Sequence, residues 1–234
     1  MNATRLAPRP AALWALLVAS LLSGGPAQAI PLPFNVITEL PGTTVGLEPQ
    51  LAGVILEDHL QAFEFETEFG RTRGQLQSRV VRSTLDGTLD FYWRVFNDED
   101  SAASLRMFRV RNFIAPEAPD GLRSDWRIDG LGDMAPDRAQ AVNPNLFLYV
   151  FHDDTANDPF LRPGMSSKLF FLDTQATHYA MTADMDVSRI KFEAYSGSGF
   201  LPTFAPAVPE PGTWALMTLG LAPMLWRGRR SKRI

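Results

Sequence analysis

Cysteine is absent from this 234-residue chain, and histidine is scarce, with three residues. The lack of cysteine excludes disulfides, thiol catalysis, zinc–thiolate sites and iron–sulfur clusters, so a folded domain must rely on packing alone. His59, His152 and His178 stand singly, without the spacing of a metal-binding motif. The sequence also has no Walker loop, no Rossmann glycine pattern and no G-x-S-x-G elbow. These absences favour a protein without enzymatic activity.

Long apolar runs are missing except at the two ends of the chain. At the N-terminus, Arg5 and Arg9 precede an apolar run over residues 11–22. Ala27-Gln28-Ala29 then forms an A-x-A site of the kind that signal peptidase cleaves. The pattern predicts a signal peptide over residues 1–29, with Ala27 and Ala29 marking the cleavage site. We therefore expect export by the Sec machinery and a mature chain that begins at Ile30.

The C-terminal end has three parts in a fixed order. Pro209-Glu210-Pro211 comes first, residues 212–226 carry no charge, and residues 227–234 are rich in arginine and lysine. As a helix the uncharged part spans roughly 22 Å, which is shorter than the ~30 Å core of a bilayer. The basic end holds the C-terminus on the cytoplasmic side. A short transmembrane helix that is a temporary membrane stop fits this pattern, and an ordinary anchor is the alternative.

This arrangement resembles the PEP-CTERM sorting tail, which combines V-P-E-P, a short membrane helix and an arginine-rich end. Pro209, Glu210 and Pro211 supply the motif, preceded by Val208, and the basic end contains the residues Arg227, Arg229 and Arg230. The same tail is also labelled the C-terminal domain of ice-binding proteins. The resemblance implies cleavage by an exosortase, a membrane transpeptidase, and delivery to the surface of a Gram-negative cell that makes exopolysaccharide.

The middle of the chain is acidic. Residues 30–195 contain 25 Asp and Glu against 15 Lys and Arg, a net charge of −10 that the basic ends partly hide in the total of −4. Such a surface argues against nucleic acid and against simple electrostatic binding of anionic polysaccharides. It is compatible with divalent cations or neutral glycans.

Apolar and polar residues alternate with period two along most of this middle region. Leu89, Phe91, Trp93 and Val95 alternate with polar residues, and Asp86-Gly87 before them indicates a hairpin turn. We expect eight to ten strands and an all-β fold, an antiparallel β-sandwich that is jelly-roll-like. The β-sandwich ectodomain is assigned to residues 30–195. Residues 115–144 are expected to be an irregular excursion, residues 196–208 a Gly/Pro linker, and residues 209–234 the sorting tail.

Two acidic loops are candidate calcium ligands. Asp98 and Asp100 follow one predicted strand, and Asp153 and Asp154 follow another. Calcium binds six to eight oxygen atoms, often in loops at the rim of a sandwich. Solvated acidic turns explain the same residues, so the sequence predicts no obligatory cofactor and leaves Ca²⁺ open. The recurring Asp125, Asp129, Asp133 and Asp137 are read as loop residues.

Aromatic residues offer candidate contacts to a glycan. Trp93 shares its parity with apolar neighbours and is expected in the core, whereas Tyr92 points the opposite way and Trp126 lies in the predicted excursion. Tyr92 and Trp126 are therefore the predicted glycan-stacking residues. The expected function is that of an exported, non-enzymatic surface or matrix protein that meets the inner membrane transiently. The alternative is a carbohydrate-binding or calcium-dependent adhesion module.

Overall fold

The computed structural model describes residues 29–115, 121–153, 157–189 and 198–207, and this part of the chain is all-β. A 3-10 turn, Pro49–Leu51, is the helical element among these residues. The twelve strands found there are β1 (Ile30–Pro31), β2 (Ile37–Glu39), β3 (Gly53–Thr67), β4 (Gly70–Ser83), β5 (Leu89–Asn97), β6 (Met107–Arg111), β7 (Arg123–Trp126), β8 (Arg138–Asn143), β9 (Leu146–Val150), β10 (Phe170–Asp173), β11 (Tyr179–Ser188) and β12 (Leu201–Pro206).

The strands form two antiparallel sheets of six strands each. The first sheet has the order β1-β7-β10-β5-β4-β3, and the second has the order β12-β11-β6-β9-β8-β2. Strands β6, β7 and β8 pair with β11, β10 and β9 respectively. Along the chain the β8–β9 pair therefore lies inside the β7–β10 pair, which lies inside the β6–β11 pair. Strands β3, β4 and β5 form a meander at one side of the first sheet. The predicted antiparallel two-sheet fold is confirmed.

The main core lies between the two sheets. Leu89, Phe91, Trp93 and Val95 on β5 are at most 1 % exposed, as their alternation predicts. Rings from β6, β9 and β10 surround Trp93, with Phe108, Tyr149 and Phe170 at centroid distances of 5.9, 6.4 and 6.3 Å. Burial of large rings supplies much of the stabilisation that disulfides would provide in other exported domains.

A second, smaller apolar cluster covers the outer face of the first sheet. It consists of Ala29, Leu51, Val81, Tyr92 and Phe171, with Val45 and Leu169 packed against it. The Phe170-Phe171 pair explains how both faces are filled, because successive strand residues point to opposite sides. Phe170 enters the main core and Phe171 enters the outer cluster. One face of this sheet is therefore partly covered by the segment that carries Val45 and Leu51.

The irregular excursion predicted over residues 115–144 is corrected by the structure. Strands β7 and β8 lie inside it and take central positions, β7 between β1 and β10 and β8 between β9 and β2. Their sequences, RSDW and RAQAVN, lack the aromatic and β-branched runs that mark a strand. These strands form because their neighbours offer unpaired backbone edges.

The linker predicted over residues 196–208 is also corrected. Within that range, Leu201–Pro206 forms β12 and pairs with β11. Thr203 is fully buried, and its Oγ1 lies 2.6 Å from Ser78 Oγ and accepts from Trp93 Nε1 at 2.9 Å. Pro202 and Pro206 suit an edge strand, because an edge leaves every second N–H without a ladder partner.

The predicted hairpin between β4 and β5 is present, but its loop is longer than two residues. Arg82 pairs with Leu89, and Ser83 N donates to Thr88 O at 2.9 Å. Residues 84–87 therefore form a four-residue loop, in which Gly87 has a positive φ of 79°. Glycine is favoured there because it adopts this backbone conformation without strain. The aromatic and β-branched run at residues 190–195 also predicts a strand from sequence, but it lies outside the described part of the chain.

Candidate functional site

The outer face of the first sheet carries a row of side chains that run across its strands. In register order the row contains Asp125 on β7, Phe171 on β10, Tyr92 on β5, Arg79 on β4 and Asp58 on β3. Side chains in such a row touch their cross-strand neighbours. The row thus changes from apolar at its centre to charged at the β3 edge.

A cleft of about 340 Å³ opens beside this row. Its floor is mainly apolar and its rim carries two guanidinium groups. The lining residues are Val45, Leu51, Ala52, Gly53, Ile55, Arg79, Val81, Tyr92, Arg127 and Leu169. A concave apolar surface with a few fixed polar groups is the usual form of a small-ligand site. We call this feature the sheet cleft.

Tyr92 borders the sheet cleft but does not present an open ring face. Its side chain is 3 % exposed, and its ring packs against Phe171 at a centroid distance of 5.2 Å. Burial, with a smaller contribution from the Asp90 charge, raises the pKa of the Tyr92 phenol. The predicted exposure of Tyr92 is corrected, because the outer apolar cluster covers the ring.

The two guanidinium groups at the sheet cleft are each paired with an aspartate. Arg79 Nη2 lies 2.6 Å from Asp58 Oδ2, and Arg127 Nε lies 2.7 Å from Asp129 Oδ1. The hydrogen bond from Arg127 lowers the pKa of Asp129, so that carboxylate stays ionised. Paired Arg and Asp groups place donors beside acceptors with little net charge. Such pairs suit the vicinal hydroxyl groups of a neutral sugar.

Trp126 is half-buried and makes structural contacts. It ends β7, and its Nε1 donates to Leu40 O at 3.0 Å. Gly42 lies beneath the indole with φ +85°, and a Cβ there would be 2.5 Å from Trp126 Cζ2. The structure therefore corrects the predicted loop position of Trp126, whereas its role as a glycan contact stays a prediction.

The predicted calcium loops lie at the same end of the sandwich. Gly164 N donates to Asp98 O at 3.3 Å, and Asp153 N donates to Pro159 O at 2.8 Å, so both loops contact one segment. Asp100 accepts from Arg73 Nε at 2.8 Å, and Asp154 lies outside the described residues. Within the described ranges, no three His, Asp or Glu side chains are grouped so that they could hold a metal. A calcium site here stays a prediction.

The four aspartates spaced by four residues have separate partners. Asp125 is buried on β7 and accepts from Gly42 N and Trp126 N, each at 2.8 Å. Asp133 accepts from Ser166 N at 2.8 Å, and Asp137 accepts from Arg138 Nε at 2.7 Å. With Asp129 bound to Arg127, these residues brace loops and do not form one ligand set. The prediction that Asp125 is a loop residue was wrong, because it lies on β7.

A buried carboxyl pair lies at another end of the first sheet. Asp90 on β5 is directly opposite Asp173 on β10. Burial and the Asp173 charge raise the pKa of Asp90 well above its ordinary value, and burial raises the pKa of Asp173 to about 6. Glu48 is also buried here and pairs with Arg123 Nη2 at 3.0 Å. No sequence motif marks this group, because its members come from distant segments.

The last described residues connect the fold to the C-terminal tail. Ala207 follows β12 directly, and its N–H donates to His178 O at 2.9 Å. A family model for the PEP-CTERM protein-sorting motif matches residues 207–230. The chain carries a PEP-CTERM sorting motif. The match includes all six predicted tail residues, Pro209, Glu210, Pro211, Arg227, Arg229 and Arg230, which lie outside the described part.

The PEP-CTERM motif indicates an exported protein with a membrane-anchored precursor that an exosortase processes. Searches of curated proteins and of solved structures find no match to the chain. Among the described residues, no helix has the length and apolar character needed to cross a bilayer. The predicted membrane segment, residues 212–226, and Ala27 of the predicted signal peptide are outside that part, whereas Ala29 is inside it.

Proposed function

We propose that this PEP-CTERM protein is a non-enzymatic component of the cell surface or extracellular matrix of a Gram-negative bacterium, associated with exopolysaccharide. The observation that carries the proposal is the sorting motif, which begins one residue after the last strand of an acidic β-domain. The high negative charge keeps such a domain soluble outside the cell.

The proposed route follows from the two ends of the chain. Sec exports the precursor, signal peptidase cleaves after Ala29, and residues 212–226 hold the C-terminus in the inner membrane as a short transmembrane helix. The basic end keeps the tail on the cytoplasmic side. An exosortase then cleaves near Pro209-Glu210-Pro211 and releases the domain, whose nested pairing suits a jelly-roll-like sandwich.

The matrix association is tested in the native host with an antibody to the domain. We expect the mature protein in the matrix fraction of wild-type cells and in the free medium of a strain that makes no exopolysaccharide. An identical distribution in the two strains would contradict the association with exopolysaccharide and leave the sorting account standing.

The sheet cleft favours a second candidate, a module that binds a neutral glycan. Its volume of about 340 Å³ suits one sugar residue, and its paired Arg and Asp groups offer both donors and acceptors. Arg127→Leu is expected to weaken binding in a glycan array by at least about tenfold, since a lost charged hydrogen bond costs about 1.5–3 kcal/mol. Arg71→Leu, outside the cleft, is the control. Equal array signals for the two variants would dismiss the cleft as the site.

The calcium-dependent form of the adhesion proposal has its own test. Calorimetric titration of the mature protein with Ca²⁺ should give binding heat that Asp98→Asn and Asp153→Asn reduce, if those loops share a cation. Heat no greater than dilution would remove calcium from the account.

A further inference from the structure

The predicted signal-cleavage bond lies within the folded domain, at the edge of the first sheet. Ala29 is 2 % exposed and belongs to the outer apolar cluster. Its carbonyl oxygen accepts from Arg123 Nε at 2.9 Å and also from Arg123 Nη2. The next residue, Ile30, pairs with Ser124 as the first residue of β1. The bond between Ala29 and Ile30 is thus held in a defined place.

Glu48 faces the same guanidinium from the other side. The side chain is 1 % exposed, and its Oε1 lies 3.0 Å from Arg123 Nη2. Its second oxygen, Oε2, is buried and has no hydrogen-bond partner among the described residues. One donor, Arg123 Nη2, therefore contacts both the Ala29 carbonyl and Glu48. A buried carboxylate oxygen without a partner is costly, so this geometry calls for another donor.

The surroundings of Glu48 contain more acid than base. The charges of Asp173, Asp86 and Glu48 act on Asp90, and those of Glu48 and Asp86 act on Asp173. Arg123 is the described cation that acts on Asp173. Asp90 Oδ2 is likewise buried without a partner in the described structure. Even with Asp90 protonated, the carboxylates of Glu48, Asp173 and Asp86 outnumber Arg123, so the group has an excess of negative charge.

We propose that this acidic group is the binding site for the α-ammonium of Ile30, with Glu48 as its direct partner. The proposal rests on the predicted export and on cleavage after Ala29. Hydrolysis of the Ala29–Ile30 amide consumes one water, whose oxygen joins the Ala29 carbonyl carbon. Ala29 leaves with the signal peptide as a carboxylate, and the Ile30 nitrogen takes up protons to become an ammonium. Cleavage so creates a cation in a group where Glu48 Oε2 has no hydrogen-bond partner among the described residues.

An ammonium suits this group better than a metal ion does. It brings three donors, it is covalently delivered by β1, and it needs one carboxylate oxygen rather than a full coordination shell. Within the described residues, no three acidic or histidine side chains are arranged to hold a metal. Strand β1 is fixed at its far end because Leu32 N donates to Leu122 O at 2.9 Å. Arg123 Nη2 contacts both the Ala29 carbonyl and Glu48 Oε1, which brings the Ile30 end of the strand near the carboxylate.

This capture makes the exported form differ from the precursor. Before cleavage, the nitrogen of Ile30 is an uncharged amide and cannot neutralise Glu48. Afterwards the ion pair connects the N-terminus to the loop before Pro49–Leu51. Val45 in this loop and Leu51 line the sheet cleft. The first sheet thus gains the ion pair between the Ile30 ammonium and Glu48 only after the signal peptide has been removed.

The test uses the processed protein recovered from its host. Mass spectrometry first gives its N-terminal residue, and a start at any residue other than Ile30 overturns the proposal while leaving export intact. The amine is then acylated at pH 8 with an anhydride, and the rate is compared with that of Lys168 in the same molecules. Because an ion pair that raises the pKa of an α-amine from about 8 to about 9 lowers its neutral fraction at pH 8 from about a half to about a tenth, we expect Glu48→Gln to react about fivefold faster than wild type.

Glu39→Gln is the matched control, because it removes an exposed carboxylate on β2 and should react like wild type. If Glu48→Gln is not recovered in folded form, Glu48→Asp keeps the charge but withdraws it by one methylene and should also react faster. Equal rates for wild type and the Glu48 variant that folds would overturn the capture of the N-terminus. Failure of all variants to be exported would instead contradict the proposed route.

Discussion

At the scale of single residues, polar groups inside the sandwich decide how the sheets are joined. Thr203 on β12 accepts the indole N–H of Trp93 and contacts Ser78, and all three side chains are buried. These contacts connect the last strand of the second sheet to β4 and β5 of the first. Trp93 was predicted in the core from its parity, but its hydroxyl partner lies 110 residues away and has no local sequence signal.

Thr203→Val is therefore expected to destabilise the mature protein. The change leaves the buried Trp93 N–H without an acceptor, which costs about 1–3 kcal/mol. Thr203→Ser keeps the hydroxyl and should lose less, mainly the packing of one methyl group. The free energy of unfolding in urea checks both variants. Equal stability of Thr203→Val and wild type would show that the indole bond contributes nothing.

Asp125 gives a prediction on pH. Burial raises its pKa to about 6, although hydrogen bonds from Trp126 N and Gly42 N act in the opposite direction. A raised pKa means that folding favours the protonated form of Asp125. The stabilisation that this proton provides is complete below about pH 4 and is lost as the pH rises to about 6. We expect Asp125→Asn to remove up to about 2 kcal/mol of this fall in unfolding free energy. An unchanged fall between pH 4 and 6 would assign it to other groups.

At the scale of strands, the sequence predicts those whose own residues alternate and misses those that depend on neighbours. Strand β5 and the β4–β5 hairpin are evident from alternation and from Asp86-Gly87. Strands β7 and β12 are short or contain proline, and each exists because a paired neighbour supplies its hydrogen bonds. The sheet cleft was missed for a related reason, since its lining residues come from several separate segments.

Strand β12 sets a limit on where the exosortase can cleave. Thr203, Phe204 and Ala205 are at most 5 % exposed, so a chain cut before Pro206 would lose buried contacts. We expect the intact mass of the mature protein to include every residue through Pro206. A mature chain that ends before Leu201 would show that β12 is dispensable and would revive the linker interpretation.

At the scale of the whole molecule, the two ends of the chain and the domain between them are informative in different ways. The sorting motif combines residue identity, order and charge over a short stretch, so it could be recognised from sequence and is confirmed by the family match at residues 207–230. Pairing between distant strands assembles the acidic group around Glu48 and the sheet cleft, so neither could be predicted from the sequence. The matched motif begins at residue 207, directly after β12 ends at Pro206, so we expect the exosortase to act close to the folded domain.

The most direct test of the sorting account is a pulse-chase experiment in the native host with wild type, Glu210→Ala and the control Glu39→Ala. The account predicts that wild type and Glu39→Ala shorten at the C-terminus and leave the inner membrane, whereas Glu210→Ala stays there at precursor length. Full-length protein in the membrane for all three forms would contradict exosortase processing and reduce the tail to an ordinary anchor.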